Sequence, residues 1–173
     1  IWFTVNKLKL FERDLIISYG DIIIPANTFE KLSENNEITI VTDSDWGTNY
    51  IGRTSHGCDE CEKCIVDNNG YLLVASKNLP KGFINYKEFI GVIYIPVRFI
   101  NEIKDHLNKL FASEEEFENN FVFSNTLRKA YLTDFLTYLV INNFKIRCLE
   151  VTGKWYEIDT MEDLEKVRGL DYV

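Results

Sequence analysis

Two carboxylates in this chain follow short apolar or aromatic runs and could hold an ion. Asp159 ends the run Trp155-Tyr156-Glu157-Ile158-Asp159, directly before a threonine that can cap a following helix. A carboxylate at a strand exit beside a helix N-terminus is a common site for a metal ion or a phosphate. Asp21 follows another apolar run, and we expect it near Asp159; taken alone, an ordinary solvated turn explains it more simply.

A further acidic pair, Asp43 and Asp45, follows the β-branched run at residues 38–42. Two carboxylates in a short turn can share a divalent ion, which predicts a second possible metal clamp. A polar turn with no ligand is the alternative.

A cysteine-rich loop at residues 53–64 carries a third candidate site. His56, Cys58, Cys61 and Cys64 offer four ligands of the types that bind Zn²⁺, although their spacing is tight for one tetrahedral ion. The alternative is a set of reduced thiols in a variable loop.

Periodic apolar residues predict the elements that position these groups. The predicted strands are residues 15–17, 38–42, 64–67, 70–76, 88–95 and 145–151, and the predicted helices are residues 25–32, 97–111, 130–142 and 161–167. Their alternation predicts an α/β fold with a mixed, mostly parallel sheet flanked by helices. The near-continuous apolar run at 15–17 is typical of a buried central strand of such a sheet. We expect Gly91 to mark the close approach of a ligand or another backbone.

Composition limits the class of protein. The chain has 173 residues, of which 46% are hydrophobic, and a formal net charge of −8, so it predicts one globular domain. The negative charge argues against a nucleic-acid partner and against an anionic membrane surface. No apolar run is long enough to span a membrane, and the cysteine pattern predicts a reducing cytoplasm. Residues 1–11 predict no particular element, and the acidic segment at residues 113–118 predicts a solvated helix or linker.

Four stretches together resemble one enzyme family. They are residues 16–21 (IISYGD), 88–91 (EFIG), 131–136 (YLTDFL) and 151–164 (VTGKWYEIDTMEDL). The set resembles the nucleotidyltransferases of the sugar-phosphate and phosphocholine cytidylyltransferase type, with a Rossmannoid, GT-A-like fold. Residues 40–46 (IVTDSDW) are similar to the branch that activates phosphonates and is often fused to phosphoenolpyruvate mutase.

The resemblance implies a reaction and a set of metal ligands. The acceptor would be a small phosphate or phosphonate of the phosphocholine or 2-aminoethylphosphonate type, activated by CTP or another nucleoside triphosphate with release of pyrophosphate. Asp21 and Asp159 would be the catalytic carboxylates on Mg²⁺, and Glu157 would assist them.

The resemblance also suggests residues that bind the acceptor. Trp46, Trp155 and Tyr156 could line a pocket for a substituted ammonium by cation–π contact, while burial in the core explains the two tryptophans as well. Glu88 could pair with a substrate amine, or it could be a surface charge at a strand end.

One departure from the family pattern leaves other functions open. The family holds the nucleotide with an N-terminal Gly-rich loop, which this chain lacks. We therefore expect the C-terminal portion of a single nucleotidyltransferase-like domain, with an N-terminal segment supplied elsewhere or lost. A non-catalytic binding module is one alternative, and a GT-A glycosyltransferase that uses Asp43 and Asp45 is another.

Overall fold

The computed structural model describes residues 13–79, 85–112 and 120–168. The predictions for residues 1–11 and 113–118 lie outside these ranges. The strands are β1 (Leu15–Ser18), β2 (Ile22–Ile23), β3 (Ile38–Asp43), β4 (Lys63–Val66), β5 (Leu72–Ser76), β6 (Lys87–Ile95), β7 (Ile146–Val151) and β8 (Tyr156–Glu157). The α-helices are α1 (Asn27–Ser33), α2 (Val97–Leu110), α3 (Leu132–Ile141) and α4 (Met161–Val167).

The predicted α/β class is confirmed, but the prediction of a mostly parallel sheet is wrong. The six-stranded sheet has the order β5-β4-β6-β3-β7, and β1 pairs with the far half of β6. Only β3 and β7 run parallel in that sheet, within the residues that the structure describes, and its other pairings are antiparallel. A short separate ribbon joins β2 to β8.

The strand β1 shows why the sequence misled. Its apolar run predicted a central strand buried on both faces, yet β1 pairs only with β6 and alternates between half-buried and exposed residues. Ile16 is 42% exposed. Three consecutive apolar residues do not distinguish a central strand from a strand at the sheet's edge.

Two apolar layers cover the two faces of the sheet. Both receive side chains from β6, because successive residues of a strand point to opposite faces. One layer packs α2 and α3 against the sheet through residues such as Ile93, Ile103 and Leu136. The other layer contains Leu32 of α1, Ile90 and Trp155. The second layer lies beneath the segment that carries the predicted catalytic carboxylates.

Gly91 interrupts β6 with a positive φ of 81°. A Cβ atom at this position would lie 2.3 Å from the ring of Tyr19, so a close approach was correctly predicted. The approaching group is an aromatic side chain rather than a ligand or a backbone. The backbone N–H of Tyr19 also donates to the Gly91 carbonyl at 3.0 Å, which fixes the end of β1 beside β6.

A buried hydrogen bond attaches the C-terminal acidic segment to the central strand β3. The Trp155 indole N–H donates to Oδ2 of Asp43 at 2.7 Å, and the N–H of Asp45 donates to Oδ1 at 2.8 Å. Asp43 has no exposed surface and Trp155 is 3% exposed. A buried carboxylate without these donors would be strongly destabilising.

Of the described helices, none combines the length and the apolar character that crossing a bilayer requires.

We predict that Trp155→Phe lowers the free energy of unfolding by about 1–3 kcal/mol, because it leaves an oxygen of Asp43 buried without a donor. Urea denaturation followed by circular dichroism measures the change. Trp46→Phe is the matched control: the Trp46 indole donates to the Tyr86 carbonyl at 3.2 Å from a half-buried position, so its loss should cost less. Equal unfolding midpoints for Trp155→Phe and the wild type would contradict the role of this bond.

Candidate active site

A carboxylate cluster occupies the turn between β8 and α4. Ligand atoms of His56, Glu157 and Asp159 all lie within 4.8 Å of one another. Within the part of the chain that the structure describes, this is the one group of three or more such side chains close enough to share an ion. Glu157 and Asp159 point to the same side, as strand alternation predicted.

The charges of this cluster are partly balanced by Arg53. Its guanidinium pairs with Asp159 at 3.1 Å and with Asp163 at 2.8 Å, and the side chain is only 6% exposed. Nδ1 of His56 lies 3.3 Å from the same oxygen of Asp159. Asp159 is therefore held between two groups that can carry positive charge.

The negative charge of Glu157 is balanced less well than that of Asp159. Burial raises its pKa to about 7, and the negative charge of Asp159 adds to this increase. A carboxyl with a pKa near neutrality binds a proton that a cation can replace. The cluster thus has the electrostatic character of a cation site.

Asp21 lies near this cluster, directly before β2, the strand that pairs with β8. The N–H of Ile158 donates to the Asp21 carbonyl at 2.8 Å, and Ile22 lies opposite Glu157 in the β2–β8 ribbon. The charge of Asp21 also contributes to the raised pKa of Glu157. The structure thus brings the backbone of Asp21 next to the segment that carries Asp159, while the group of ligand atoms within 4.8 Å of one another, among the described residues, does not include the exposed side chain of Asp21.

The predicted capping box at α4 is confirmed. The Asp163 N–H donates to Oγ1 of Thr160 at 3.3 Å, and the Thr160 N–H donates to Asp163 at 3.0 Å. Asp163 also receives the Arg53 guanidinium. One buried carboxylate therefore fixes both the helix start and the arginine that holds Asp159.

A cavity of about 190 Å³ opens next to the cluster. Its walls are rich in acidic side chains. Nζ of Lys77 lies 2.6 Å from Oε2 of one of them, Glu60. The Tyr19 hydroxyl donates a hydrogen bond to Oε2 of Glu62 at 2.8 Å. The acidic residues of the wall are Glu60, Glu62, Glu88, Glu157 and Asp159.

Glu88 is the most deeply buried of these acids, with 3% exposure. The Tyr50 hydroxyl donates to Oε1, whereas Oε2 is buried and has no hydrogen-bond partner among the residues that the structure describes. Burial raises the pKa of Glu88 to about 8, and the hydrogen bond from Tyr50 acts in the opposite direction. Of the two alternatives for Glu88, a surface charge is therefore wrong.

The three aromatic residues predicted to bind an ammonium do not form one pocket. Trp155 is buried in the core beneath the cavity and its N–H is used by Asp43. Trp46 stacks on Tyr86 at a centroid distance of 5.0 Å, outside the cavity wall. Tyr156 lines a much smaller cavity beside Arg53.

The structure does not bring the four predicted zinc ligands together. His56 turns to Asp159, while Cys64 is a fully buried residue of β4 and packs in the core. Cys61 is also buried and Cys58 is exposed. Burial raises the pKa of the Cys61 thiol to about 11 and that of Cys64 well above its ordinary value, which favours thiols over zinc-binding thiolates. The regular spacing of the cysteines suggested a shared ion. Cys64, however, lies in β4 and packs in the core, whereas Cys58 lies on the surface.

The Asp43-Ser44-Asp45 turn is not arranged as a metal clamp. Both oxygens of Asp43 accept hydrogen bonds inside the protein, and Asp45 is exposed. This geometry removes the main support for the glycosyltransferase alternative.

Several site residues were not identified from the sequence. Arg53 lies in the loop assigned to zinc, and its importance depends on contacts with residues more than 100 positions away. Tyr19, Tyr50 and Glu62 reach the cavity from separate segments. Tyr19 directly precedes Gly20-Asp21. The only signal in the sequence was that Tyr19 is two residues from Ile17, so that in a strand both side chains would point to the same face of the sheet.

We predict that Glu88→Gln stabilises the protein increasingly as pH rises. The folded state holds a proton on Glu88 that the unfolded state releases above about 4.5, so this contribution is complete below pH 4.5 and lost as pH rises through 8. The glutamine variant does not undergo this loss. Its free energy of unfolding relative to wild type should therefore increase by on the order of 2 kcal/mol between pH 5 and pH 8.5.

Thermal or urea unfolding at both pH values measures this difference. Glu165→Gln is the control, because Glu165 is a highly exposed acid paired with Arg168. A difference between Glu88→Gln and wild type that stays constant with pH would contradict the raised pKa.

Comparisons with known proteins agree with this architecture. No family model matches the chain. A CTP:phosphoglutamine cytidylyltransferase of Campylobacter jejuni is 28% identical over 162 residues, covering 91% of this chain and 61% of that protein. The chain therefore spans about three fifths of the length of this curated relative.

Solved structures match over nearly the whole chain. The inositol-1-phosphate CTP transferase of T. maritima has a TM-score of 0.59 at 15% identity, covering 98% of this chain and 62% of that one. The CTP:phosphocholine cytidylyltransferase of Streptococcus pneumoniae has a TM-score of 0.57 at 15% identity, covering 95% and 60%. These two structures show that this chain has the fold of these nucleotidyltransferases.

Proposed function

We propose that the full-length protein is a CTP-dependent cytidylyltransferase that acts on a small acceptor with a phosphate or phosphonate group. The similar proteins are named for CTP and for phosphorylated small molecules, namely phosphoglutamine, inositol 1-phosphate and phosphocholine. The similarity of residues 40–46 to the phosphonate branch supports a phosphonate as one candidate acceptor.

One observation carries the proposal. The carboxylates of Glu157 and Asp159 converge beside Asp21 at the mouth of an acidic cavity. The acidic cluster would repel a bare triphosphate, so the two can come together only with a cation between them. The cluster therefore suits a metal–nucleotide complex.

The donor set fits Mg²⁺, which prefers carboxylate oxygens and retains several water ligands. Glu157 and Asp159 would hold the ion, since their oxygens lie within 4.8 Å of each other, and Asp21, directly before β2, is the third ligand that the resemblance implies. When bound, Mg²⁺ neutralises charge on the phosphates of CTP. The raised pKa of Glu157 supports this assignment, because it marks a carboxylate that lacks sufficient positive charge nearby.

The reaction is a direct displacement. An oxygen of the acceptor phosphate or phosphonate attacks the α-phosphorus of CTP, the bond from that phosphorus to the α–β bridging oxygen breaks, and pyrophosphate leaves with its electron pair. The product is an anhydride in which CMP is joined to the acceptor's phosphate or phosphonate through the attacking oxygen, and no covalent enzyme intermediate forms. The chain's own contribution is positioning: Arg53 and Asp163 orient Asp159, and the cavity holds the acceptor near the cluster.

A non-catalytic module with this fold is the alternative that an assay must exclude. Assaying the full-length protein for pyrophosphate release from CTP, with phosphate and phosphonate acceptors, decides between the two.

We predict that Asp159→Asn in the full-length protein lowers kcat/KM for CTP at least about 100-fold, because it removes a charged ligand from the proposed ion. The fold should persist, since Arg53 retains its pair with Asp163. Pyrophosphate release in the presence of Mg²⁺ measures the loss.

The control for this experiment is Asp45→Asn, which neutralises an exposed acid away from the cluster and should retain activity. Full activity of Asp159→Asn would contradict the metal assignment. Loss of activity in Asp45→Asn would show that the effect is not specific to the cluster and would also count against the assignment.

A further inference from the structure

The cluster between β8 and α4 contains one potential ligand that is not a carboxylate. Nδ1 of His56 lies 3.3 Å from Oδ2 of Asp159, and His56, Glu157 and Asp159 each offer a ligand atom within 4.8 Å of the others. Among the described residues, the side chain of Asp21 does not belong to this group. The third ligand that the structure brings to the two carboxylates is therefore an imidazole nitrogen.

His56 is held at this position by the residues that precede it. Arg53 pairs with Asp163 at 2.8 Å, and the backbone N–H of Thr54 donates to Oε2 of Glu162 at 2.9 Å. Both acids belong to the first turn of α4. These contacts use none of the ring atoms of His56, so they fix the loop and leave the imidazole for another partner. A ligand that is positioned in advance loses little conformational freedom when it binds an ion.

The pairing of Asp159 with Arg53 is compatible with cation binding. The guanidinium contacts Asp159 at 3.1 Å and Asp163 at 2.8 Å, so it keeps a buried partner when a cation binds Asp159. His56 lines the acidic cavity, and 23% of its side chain is exposed. A hydrated ion can therefore reach the imidazole from solvent, and the acidic wall attracts it.

We infer that the imidazole of His56 is a ligand of the cation held by Glu157 and Asp159, and that this ligand makes the site prefer Mn²⁺ to Mg²⁺. Mg²⁺ is a hard cation that takes oxygen ligands, whereas the first-row transition metals also accept imidazole nitrogen. The inference rests on the proposed function, because it takes this cation to be the one that accompanies the nucleotide. It gives that ion a ligand that the resemblance does not imply.

Electron spin-echo spectroscopy of bound Mn²⁺ tests the ligand directly. A coordinated imidazole couples the electron spin of Mn²⁺ to its ¹⁴N nucleus, and a carboxylate has no nitrogen to give this signal. We expect the coupling in the full-length protein with Mn²⁺ alone, and its loss in His56→Gln. His106→Gln is the matched control and should keep the coupling, because His106, the other histidine of the 173 residues, lies on α2 and contacts Tyr138.

Three outcomes of this measurement would overturn the inference. They are a failure of the protein to bind Mn²⁺, bound Mn²⁺ without ¹⁴N coupling, and a coupling that persists in His56→Gln.

The variant His56→Asp tests the metal preference, since it replaces the nitrogen with an oxygen of similar reach. Isothermal titration with Mn²⁺ and with Mg²⁺, each alone, gives the two dissociation constants. We expect wild type to bind Mn²⁺ at least about 10-fold more tightly than Mg²⁺, and His56→Asp to bind the two ions within about threefold of each other. A purely structural role of His56 would weaken both ions alike, so an unchanged ratio in His56→Asp would contradict the inference.

Pyrophosphate release from CTP separates this inference from the proposed function. A ¹⁴N coupling that depends on His56, in a protein that releases no pyrophosphate with any phosphate or phosphonate acceptor, would support the inference and overturn the proposed function. Turnover by a protein whose bound Mn²⁺ shows no ¹⁴N coupling would overturn the inference and leave the proposed function standing.

Discussion

The bond between the Trp155 indole and the buried carboxylate of Asp43 is the constraint on which the site depends. It joins the end of the central strand β3 to a segment 112 residues later. Asp43 has no exposed surface, so its buried carboxyl oxygens depend on the donors that the indole and a backbone N–H supply. Glu157 and Asp159 follow Trp155 by two and four residues, and their position is therefore fixed by an interaction inside the core.

The cluster held by that bond is rich in negative charge. Arg53 compensates Asp159 and Asp163, but Glu157 and Glu88 keep raised pKa values because burial disfavours their charged forms. Stability and function make opposite demands here. Replacing either acid should stabilise the folded protein, whereas the proposed metal–nucleotide complex would require the charge of Glu157. The excess of acid is most simply understood as a site organised for positive ligands.

Local patterns were sufficient to predict most elements, including the helix α2, the β4–β5 hairpin and the Thr160–Asp163 capping box. Strand direction could not be read in the same way, because the apolar run of β1 is compatible with either a central or an edge strand. The zinc prediction treated cysteine spacing as a ligand pattern, although Cys64 is the one fully buried residue of β4 and packs in the core. Arg53 and Tyr50 act through partners distant in sequence, and no local pattern encodes such pairs.

The most direct test of the account is a crystal structure of the full-length protein with CTP and Mn²⁺, which replaces Mg²⁺ and scatters anomalously. The account predicts an anomalous peak in contact with carboxylate oxygens of Glu157 and Asp159, with Asp21 as a ligand directly or through water. A nucleotide complex in which Mn²⁺ lies elsewhere, while Asp159 remains paired with Arg53 and His56, would contradict it.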